Sequence, residues 1–359
     1  MTGAPVNAPC PQTVTAGNLR LGPGQPMFLV AEIGINHNGD MDLARRTIDA
    51  AAASGADGVK FQNFVTEDFI LDRRLTYDYI SQGREVTESQ FDMFKRYELR
   101  PGQLGQLKEH CESAGLVCFS TPSSVAGVVE LAQLKAPLLK NGSDYLTHLP
   151  VVRAMAATGI PTVLSTGMAT LAEIAAAVDA FRQAGGRDLI LLHCTSSYPT
   201  PPEDANLRKI PTLASAFGCP IGFSDHTEGV TAALGALALG ACMLEKHFTL
   251  DRNLPGPDHR FSADPAEFAT LTHAVRRLEE QLGQSAIGPT ASEQLGRAAF
   301  RISCAAARDL AAGERLTARD ILFLRPGSGI PPAQADLLSG RKLARPKAAG
   351  EVFTAGDLD

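Results

Sequence analysis

Short apolar, β-branched runs recur along the chain between longer stretches whose apolar residues repeat every three or four positions. The short runs are 27–33 (MFLVAEI), 57–61 (DGVKF), 116–120 (LVCFS), 136–140 (APLLK), 161–165 (PTVLS), 188–193 (DLILLH), 220–224 (PIGFS) and 242–247 (CMLEKH). Runs of this length and composition predict strands buried on both faces. The stretches between them predict helices. Leu43, Ala44, Ile48, Ala51 and Ala52 share one helical face, as do Ile174, Val178 and Phe181, and Val230, Ala233, Leu234 and Leu237. Asp40 and Thr170 stand where N-caps belong, and Gly55 and Gly185 where helices stop. Eight strand-then-helix units predict an α/β chain closed into a (β/α)8 TIM barrel; a doubly wound open sheet is the alternative. The 62–101 stretch is longer than one loop needs and predicts an extra helix or a lid-like insertion.

The pattern changes after the last helical stretch, near 265–283. Residues 286–298 form a polar linker with Gly and Pro, and 299–359 a small β-rich module. In that module ISCAAARDLAAGERLTARDI and RKLARPKAAGEVFTAGDL look like two copies of one strand–turn–strand idea. Each has a Gly-Glu turn followed by an apolar position, Thr and a late Asp. The expected division is therefore a barrel domain over 1–285, with 1–25 as an N-terminal extension, the linker 286–298 and the module 299–359.

Charge narrows the partners. The 359 residues carry 33 Lys plus Arg against 39 Asp plus Glu, a net charge of -6, so bulk attraction to nucleic acid or an anionic membrane is not expected. No apolar run approaches the roughly 20 residues of a membrane span. The first residues lack the basic and apolar regions of a secretory signal. Seven scattered cysteines without a CxxC pair read as reduced thiols, so the expected location is the cytoplasm, where the Asn141-Gly142-Ser143 sequon is idle.

The candidate chemistry follows from position. In a (β/α)8 barrel the C-terminal strand ends converge on one mouth, which holds the site. The residues at or just past those ends are Glu32, Lys60, Thr121, Lys140, Ser165, Thr195, His226 and His247, all polar or ionisable. Two ammonium groups facing one cavity repel, so Lys60 and Lys140 predict an anion between them; snorkelling to solvent is the bland alternative. Thr121, Ser143, Ser165, Ser196 and Ser224 would surround that anion with hydroxyls, and Gly142, Gly167 and Gly222 would permit close backbone approach. This lining suits a phosphate or a phosphorylated carboxylate. His226 and His247, on neighbouring strands, form a possible divalent-metal pair; two ordinary satisfied histidines are the alternative. His37 lies in a turn-rich loop that could reach the mouth. Asp258, in an irregular loop after the eighth strand, is a candidate for sugar hydroxyls or a plain turn residue.

Taken together, these segments resemble the sialic acid synthase family, the phosphoenolpyruvate-condensing N-acetylneuraminate, legionaminate and pseudaminate synthases. The pieces that carry the resemblance are AEIGINHNGD (31–40), GADGVKFQ (55–62), FSTP (119–122), LSTGM (164–168), LLHCTSSYPTPPED (191–204), IGFSDHT (221–227), LEKHFTLDRNLPGPDH (244–259) and LRPGSGI (324–330). The tail is similar to the antifreeze-like SAF domain that this family carries. The resemblance implies that His226 and His247 bind a divalent metal, manganese foremost, with magnesium or cobalt as alternatives. It implies that Lys60, Lys140, Thr121, Ser143, Ser165, Ser224 and Tyr198 hold phosphoenolpyruvate, with Ser196 where some relatives have asparagine. Glu32 would be the catalytic carboxylate. Gln62 and Asp258 would contact an open-chain N-acetylated amino sugar. Arg325 would reach a partner subunit's barrel mouth within a domain-swapped homodimer. Asp144-Tyr145 stand where many relatives read Gly-Glu. The implied reaction joins phosphoenolpyruvate to N-acetylmannosamine or a 2,4-diacetamido-trideoxyhexose, with metal assistance and C–O cleavage, giving a nine-carbon acid and phosphate. The competing readings are a related synthase acting on a phosphorylated aldose and a non-catalytic sugar-binding protein.

Overall fold

The computed structural model describes residues 12–359; residues 1–11 of the expected N-terminal extension, with Cys10, lie outside the described residues. The chain divides into two units, the first ending at Gly283 and the second spanning Gln284–Asp359.

In the first unit eight strands close into a barrel, each parallel to its neighbours. They are β1 (Phe28–Gly34), β2 (Gly58–Asn63), β3 (Val117–Pro122), β4 (Leu139–Asn141), β5 (Thr162–Ser165), β6 (Leu189–Cys194), β7 (Ile221–Asp225) and β8 (Met243–His247). The barrel, rather than the open sheet, is thus the architecture. The caps expected from sequence are in place. Asp40 accepts from the backbone amides of Asp42 and Leu43, and Thr170 forms a reciprocal capping box with Glu173.

Side-chain alternation divides each strand's work. Outward-facing residues pack under the helices in the main apolar cluster. Inward-facing Phe28, Val30, Phe119, Leu138, Val163, Ile190, Leu192 and Met243 fill the lower barrel. A short hairpin, Val14–Ala16 with Leu19–Leu21, adds Val14, Ala16 and Leu21 to that same cluster, so this part of the N-terminal extension plugs the barrel floor. The polar strand ends above this packed interior line the mouth.

The 62–101 insertion contains the expected extra helix (Gln90–Tyr97) and also a hairpin, Thr76–Ser81 with Arg84–Ser89. It has its own small core, in which Phe64, Met93 and Tyr97 are buried with Phe69, Tyr79 and Phe94 packed against them. The hairpin is fastened to the loop after β8: Gln82 Nε2 donates to the Asn253 carbonyl at 3.1 Å, and the Gly256 amide donates to Ser81 Oγ at 3.1 Å.

The second unit packs its own core around Cys304, Leu316, Leu338, Leu343 and Phe353. Part of the stretch read as a linker is helical, at Gln294–Phe300. The two sequence copies share a turn rather than equal strands. Only Ser303–Ala306 and Ile321–Leu324 form a regular antiparallel pair. The second copy pairs through isolated bridges such as Ala305 with Val352 and Leu343 with Leu358, since Pro346 within it cannot donate to a ladder. The shared turn is a capping box, Thr317 with Asp320 and Thr354 with Asp357.

Candidate active site

The barrel mouth holds a cavity of about 540 Å³, a size typical of small-molecule sites. Its lining includes Glu32, Lys60, Gln62, Thr121, Lys140, Ser143, Ser165, Ser196, Tyr198, Ser224, His226, His247 and Asp258. The structure thus brings together the barrel residues singled out from sequence for the mouth, Thr195 and His37 excepted. Arg325 belongs to the second unit, where its guanidinium lies over the Phe300 ring, 5.4 Å from the centroid.

Both lysines are buried, with 3% exposure each, so neither snorkels. Lys60 Nζ meets Glu32 Oε2 at 2.8 Å, Thr121 Oγ1 at 3.0 Å and Glu245 Oε2 at 3.8 Å. Lys140 Nζ donates to Ser165 Oγ at 2.7 Å and to the Asn141 carbonyl at 3.3 Å, and lies 3.5 Å from Glu245 Oε1. The anion expected between the lysines is therefore first of all a side chain of the protein, Glu245. It escaped the sequence reading although it stands two residues before His247, on the same strand face. Ser224 Oγ donates to its Oε1 at 3.1 Å, while Oε2 has no hydrogen-bond partner.

Burial and Coulomb terms oppose each other here. Burial disfavours the Lys60 ammonium, but Glu245 and Glu32 overcome it and hold its pKa above the ordinary value. Burial lowers Lys140, with Glu245 opposing and Lys60 adding to the shift. Burial raises Glu32, only partly countered by Lys60. Glu245 stays below the ordinary value because Lys140 and Lys60 outweigh its burial.

The β1 backbone makes room for this cluster. The register with β2 shifts between Glu32 and Gly34, and Gly34 has φ 52°. A Cβ there would sit 3.0 Å from Glu32 Oε1 and 3.1 Å from Gln62 Nε2, the two groups joined by a 3.2 Å hydrogen bond. Gly167 is similarly confined: its amide donates to Ser143 Oγ at 3.0 Å, and a Cβ would lie 2.4 Å from Ser196 Oγ.

The two imidazoles face each other with ring centroids 5.5 Å apart, and the Tyr198 ring packs on both. His226 Nδ1 donates to the Thr195 carbonyl at 2.8 Å, so in the neutral ring Nε2 carries the lone pair. His247 Nδ1 is buried without a hydrogen-bond partner, 3.7 Å from Asp258 Oδ2. Burial, then the charges of His226 and Lys60, keep His247 well below its ordinary pKa and therefore neutral. A neutral ring with an unpartnered buried nitrogen suits a divalent ion. Among the described residues no group of three or more His, Cys, Asp or Glu has metal-binding geometry, so the protein would offer this pair and leave other positions to water or substrate.

Three expectations need correction. Thr195 does not line the cavity; its hydroxyl donates to the Asp204 carbonyl and its own carbonyl orients His226. His37 is buried in its turn, accepting from the Gly39 amide, and does not reach the mouth. Its neighbours Asn36 and Asn38 fasten the turn to Phe248, Ser262 and Pro255. Gly222 serves packing, since a Cβ there would sit 2.4 Å from Leu192 Cδ2 and 2.8 Å from the Met243 carbonyl. The idle sequon is also inaccessible, because Asn141 is fully buried. Besides Glu245, the sequence reading missed Cys194 and an aromatic group from the insertion, Phe64, Phe69, Phe94 and Tyr77, all of which line the cavity.

Comparison with known proteins shows the family of the chain. A family model described as the NeuB family matches residues 47–286, and one described as the SAF domain matches 303–359. N,N'-diacetyllegionaminic acid synthase of Legionella pneumophila is 37% identical, covering 92% of this chain and 94% of its own. Pseudaminic acid synthase of Campylobacter jejuni is 32% identical, covering 92% and 96%. The crystal structure of N-acetylneuraminic acid synthetase from Leptospira borgpetersenii superposes with a TM-score of 0.72 at 36% identity, covering 81% of this chain and 96% of that one.

Proposed function

The chain belongs to the NeuB family, and from that premise we propose that it condenses phosphoenolpyruvate with an open-chain N-acetylated amino sugar, giving a nine-carbon ulosonic acid and phosphate. One observation carries this reading: two buried ammonium groups, two buried carboxylates and two imidazoles converge on one cavity at the barrel mouth.

Lys60 and Lys140 would grip the phosphate and carboxylate of phosphoenolpyruvate, with hydroxyls from Thr121, Ser143, Ser165, Ser196 and Ser224 as short-range donors. Tyr198 would cover the same end of the cavity. Gln62 and Asp258 would orient the acceptor's hydroxyls. His226 and His247 would hold a divalent ion, manganese foremost, whose Lewis acidity polarises the acceptor's carbonyl when it is bound. C3 of the enol then bonds to the aldehyde carbon, and positive character develops at C2. Glu32 would stabilise that charge from a site closed to bulk water, where a preorganised carboxylate acts with little screening. Water adds at C2, and the C–O bond breaks so that phosphate leaves with its bridging oxygen.

The reading is tested by incubating the metal-loaded protein with phosphoenolpyruvate bearing heavy oxygen in the bridging position and an N-acetylated mannosamine-type acceptor. Labelled phosphate and a nine-carbon acid are expected by mass spectrometry. Pyruvate formation alone, or label kept in the organic product, would sink it. Chelation is expected to abolish turnover and added manganese to restore it; undiminished turnover in metal-stripped protein would remove the histidine pair from this role. The homodimer expected from the resemblance belongs to the same reading. Light scattering should give about twice 37.9 kDa, and Arg325→Ala should weaken acceptor turnover without dissociating the dimer.

A further inference from the structure

Resting on the phosphoenolpyruvate-condensing reading, we infer that Asp258 is a positioning residue for the histidine pair: its carboxylate accepts from His247 Nδ1 when the pair holds a divalent ion, as the Thr195 carbonyl accepts from His226. The two imidazoles are unequally supported. His226 Nδ1 donates to the Thr195 carbonyl at 2.8 Å, which sets its tautomer and turns its lone pair to Nε2. His247 Nδ1 is buried without a hydrogen bond. The rings of Phe261 and Tyr198, with centroids 5.1 Å and 5.8 Å from that of His247, pack against it. A histidine that binds a metal through one nitrogen carries its proton on the other, and a carboxylate or carbonyl almost always holds that N–H. For His247 a carboxylate is close by: Asp258 Oδ2 lies 3.7 Å from Nδ1, against about 2.8 Å for a charge-assisted hydrogen bond.

The backbone brings this carboxylate to the ring and holds it there. After His247 the chain leaves the barrel and returns beside the strand end. The Ala263 amide donates to the His247 carbonyl at 2.8 Å, and the Thr249 amide to the Ala263 carbonyl at 3.0 Å. The loop between is pinned on both sides of Asp258. The Asp258 carbonyl accepts from Ser262 Oγ at 2.6 Å, the His259 ring sits between Thr249 Oγ1 and Asn38 Oδ1, and the Pro255 carbonyl accepts from Asn38 Nδ2. With the backbone fixed, a side-chain rotation brings Oδ2 within reach of the N–H. The second carboxylate oxygen is left for the acceptor's hydroxyls, so one residue serves the metal pair and the sugar together.

The experiment titrates manganese into the full chain without substrates and counts free ion by electron paramagnetic resonance, for the parent, Asp258→Ala and Asp258→Asn. Asp258→Ala is expected to weaken manganese binding by about ten- to a hundredfold, the usual effect of removing such a partner. Asp258→Asn keeps an acceptor oxygen of similar reach and should recover most of that loss. Cobalt-loaded protein gives a second readout. Its proton NMR spectrum should show two exchangeable, paramagnetically shifted N–H signals, one from each ring. Asp258→Ala should lose one of them to exchange with water and keep the signal that Thr195 protects. Unchanged manganese affinity in Asp258→Ala, or two N–H signals persisting there, would overturn the inference and leave Asp258 as an acceptor contact alone; a single signal in the parent would overturn it as well. Should Asp258→Ala melt well below the parent, the cobalt spectrum of Asp258→Asn decides: one N–H signal moved supports the inference, and an unchanged spectrum overturns it. None of these measurements uses phosphoenolpyruvate or sugar. Failure of the condensing reading therefore shows separately, as absent phosphate release by a protein whose manganese affinity still depends on Asp258.

Discussion

On the outer face of β7 and β8, Lys246 Nζ donates to Asp225 Oδ2 at 3.0 Å and to the Thr227 carbonyl at 2.7 Å, while Asp225 Oδ1 accepts from the Thr227 amide and hydroxyl. One residue away on each strand, on the inner face, Ser224 and Glu245 meet Lys60 and Lys140. Both sets are buried and both oppose ammonium to carboxylate. They differ in saturation. The outer pair uses its polar atoms on itself and on nearby backbone, as a pair that only holds a loop to the barrel should. The inner set leaves Glu245 Oε2, and beside it His247 Nδ1, without hydrogen bonds. A buried polar atom left unpaired costs stability, and those at the mouth are placed where a molecule bound in the cavity could meet them. The second unit repeats the outer pattern. Asp357 is enclosed by Lys347, Arg345 and the amide and hydroxyl of Thr354, a saturated carboxylate that shapes a turn.

The comparison is broken or sharpened by substitution. Lys246→Met strands the buried Asp225 carboxylate and should destabilise the chain by about 3–5 kcal/mol; a melting temperature near the parent's would show that the outer pair is not structural. Glu32→Gln should raise the barrier by about 3 kcal/mol, more than a hundredfold in turnover, while thermal unfolding moves little. The reverse outcome, unchanged turnover with a lower melting temperature, would make the inner face structural too.

In the second unit the effect should depend on pH. Burial alone would raise the Asp357 pKa, but hydrogen bonds from Lys347, Thr354 and Arg345 hold it down to about 2. A carboxyl depressed on folding stabilises above its unfolded pKa of about 4, by about 2 kcal/mol, and loses that contribution as pH falls toward 2. The stability gap between the parent and Asp357→Asn should therefore be largest above pH 4 and shrink on acidification; a constant gap would mean that the charge is not what stabilises the turn. The smallest effect is expected at Thr170→Ala, which removes one helix cap and should cost about 1 kcal/mol by chemical denaturation.

Much of the mouth was legible in sequence because strand periodicity is local. Once 27–33 and 242–247 are read as strands, Glu32 and His247 must fall at their ends, and the register confirms them as direct neighbours. The same rule could have found Glu245, which shares a face with His247. It lies two residues inside the strand rather than at its end, so a ring drawn from strand ends alone leaves it out. Thr195 shows the rule's limit. It lies one residue past β6, where the backbone turns away, so alternation no longer says where its side chain goes.

By itself the sequence determined the barrel, the caps, the change of pattern after the last barrel helix, and the ring of polar strand ends, because each follows from patterns a few residues long. Tertiary structure alone decided that Glu245 balances two lysines from other strands, that Thr195 orients His226 through its backbone, and that the insertion turns an aromatic wall toward the cavity. Those contacts join residues tens to nearly two hundred positions apart, such as Lys60 and Glu245. They exist only once closure of the barrel sets the register in which its strands meet.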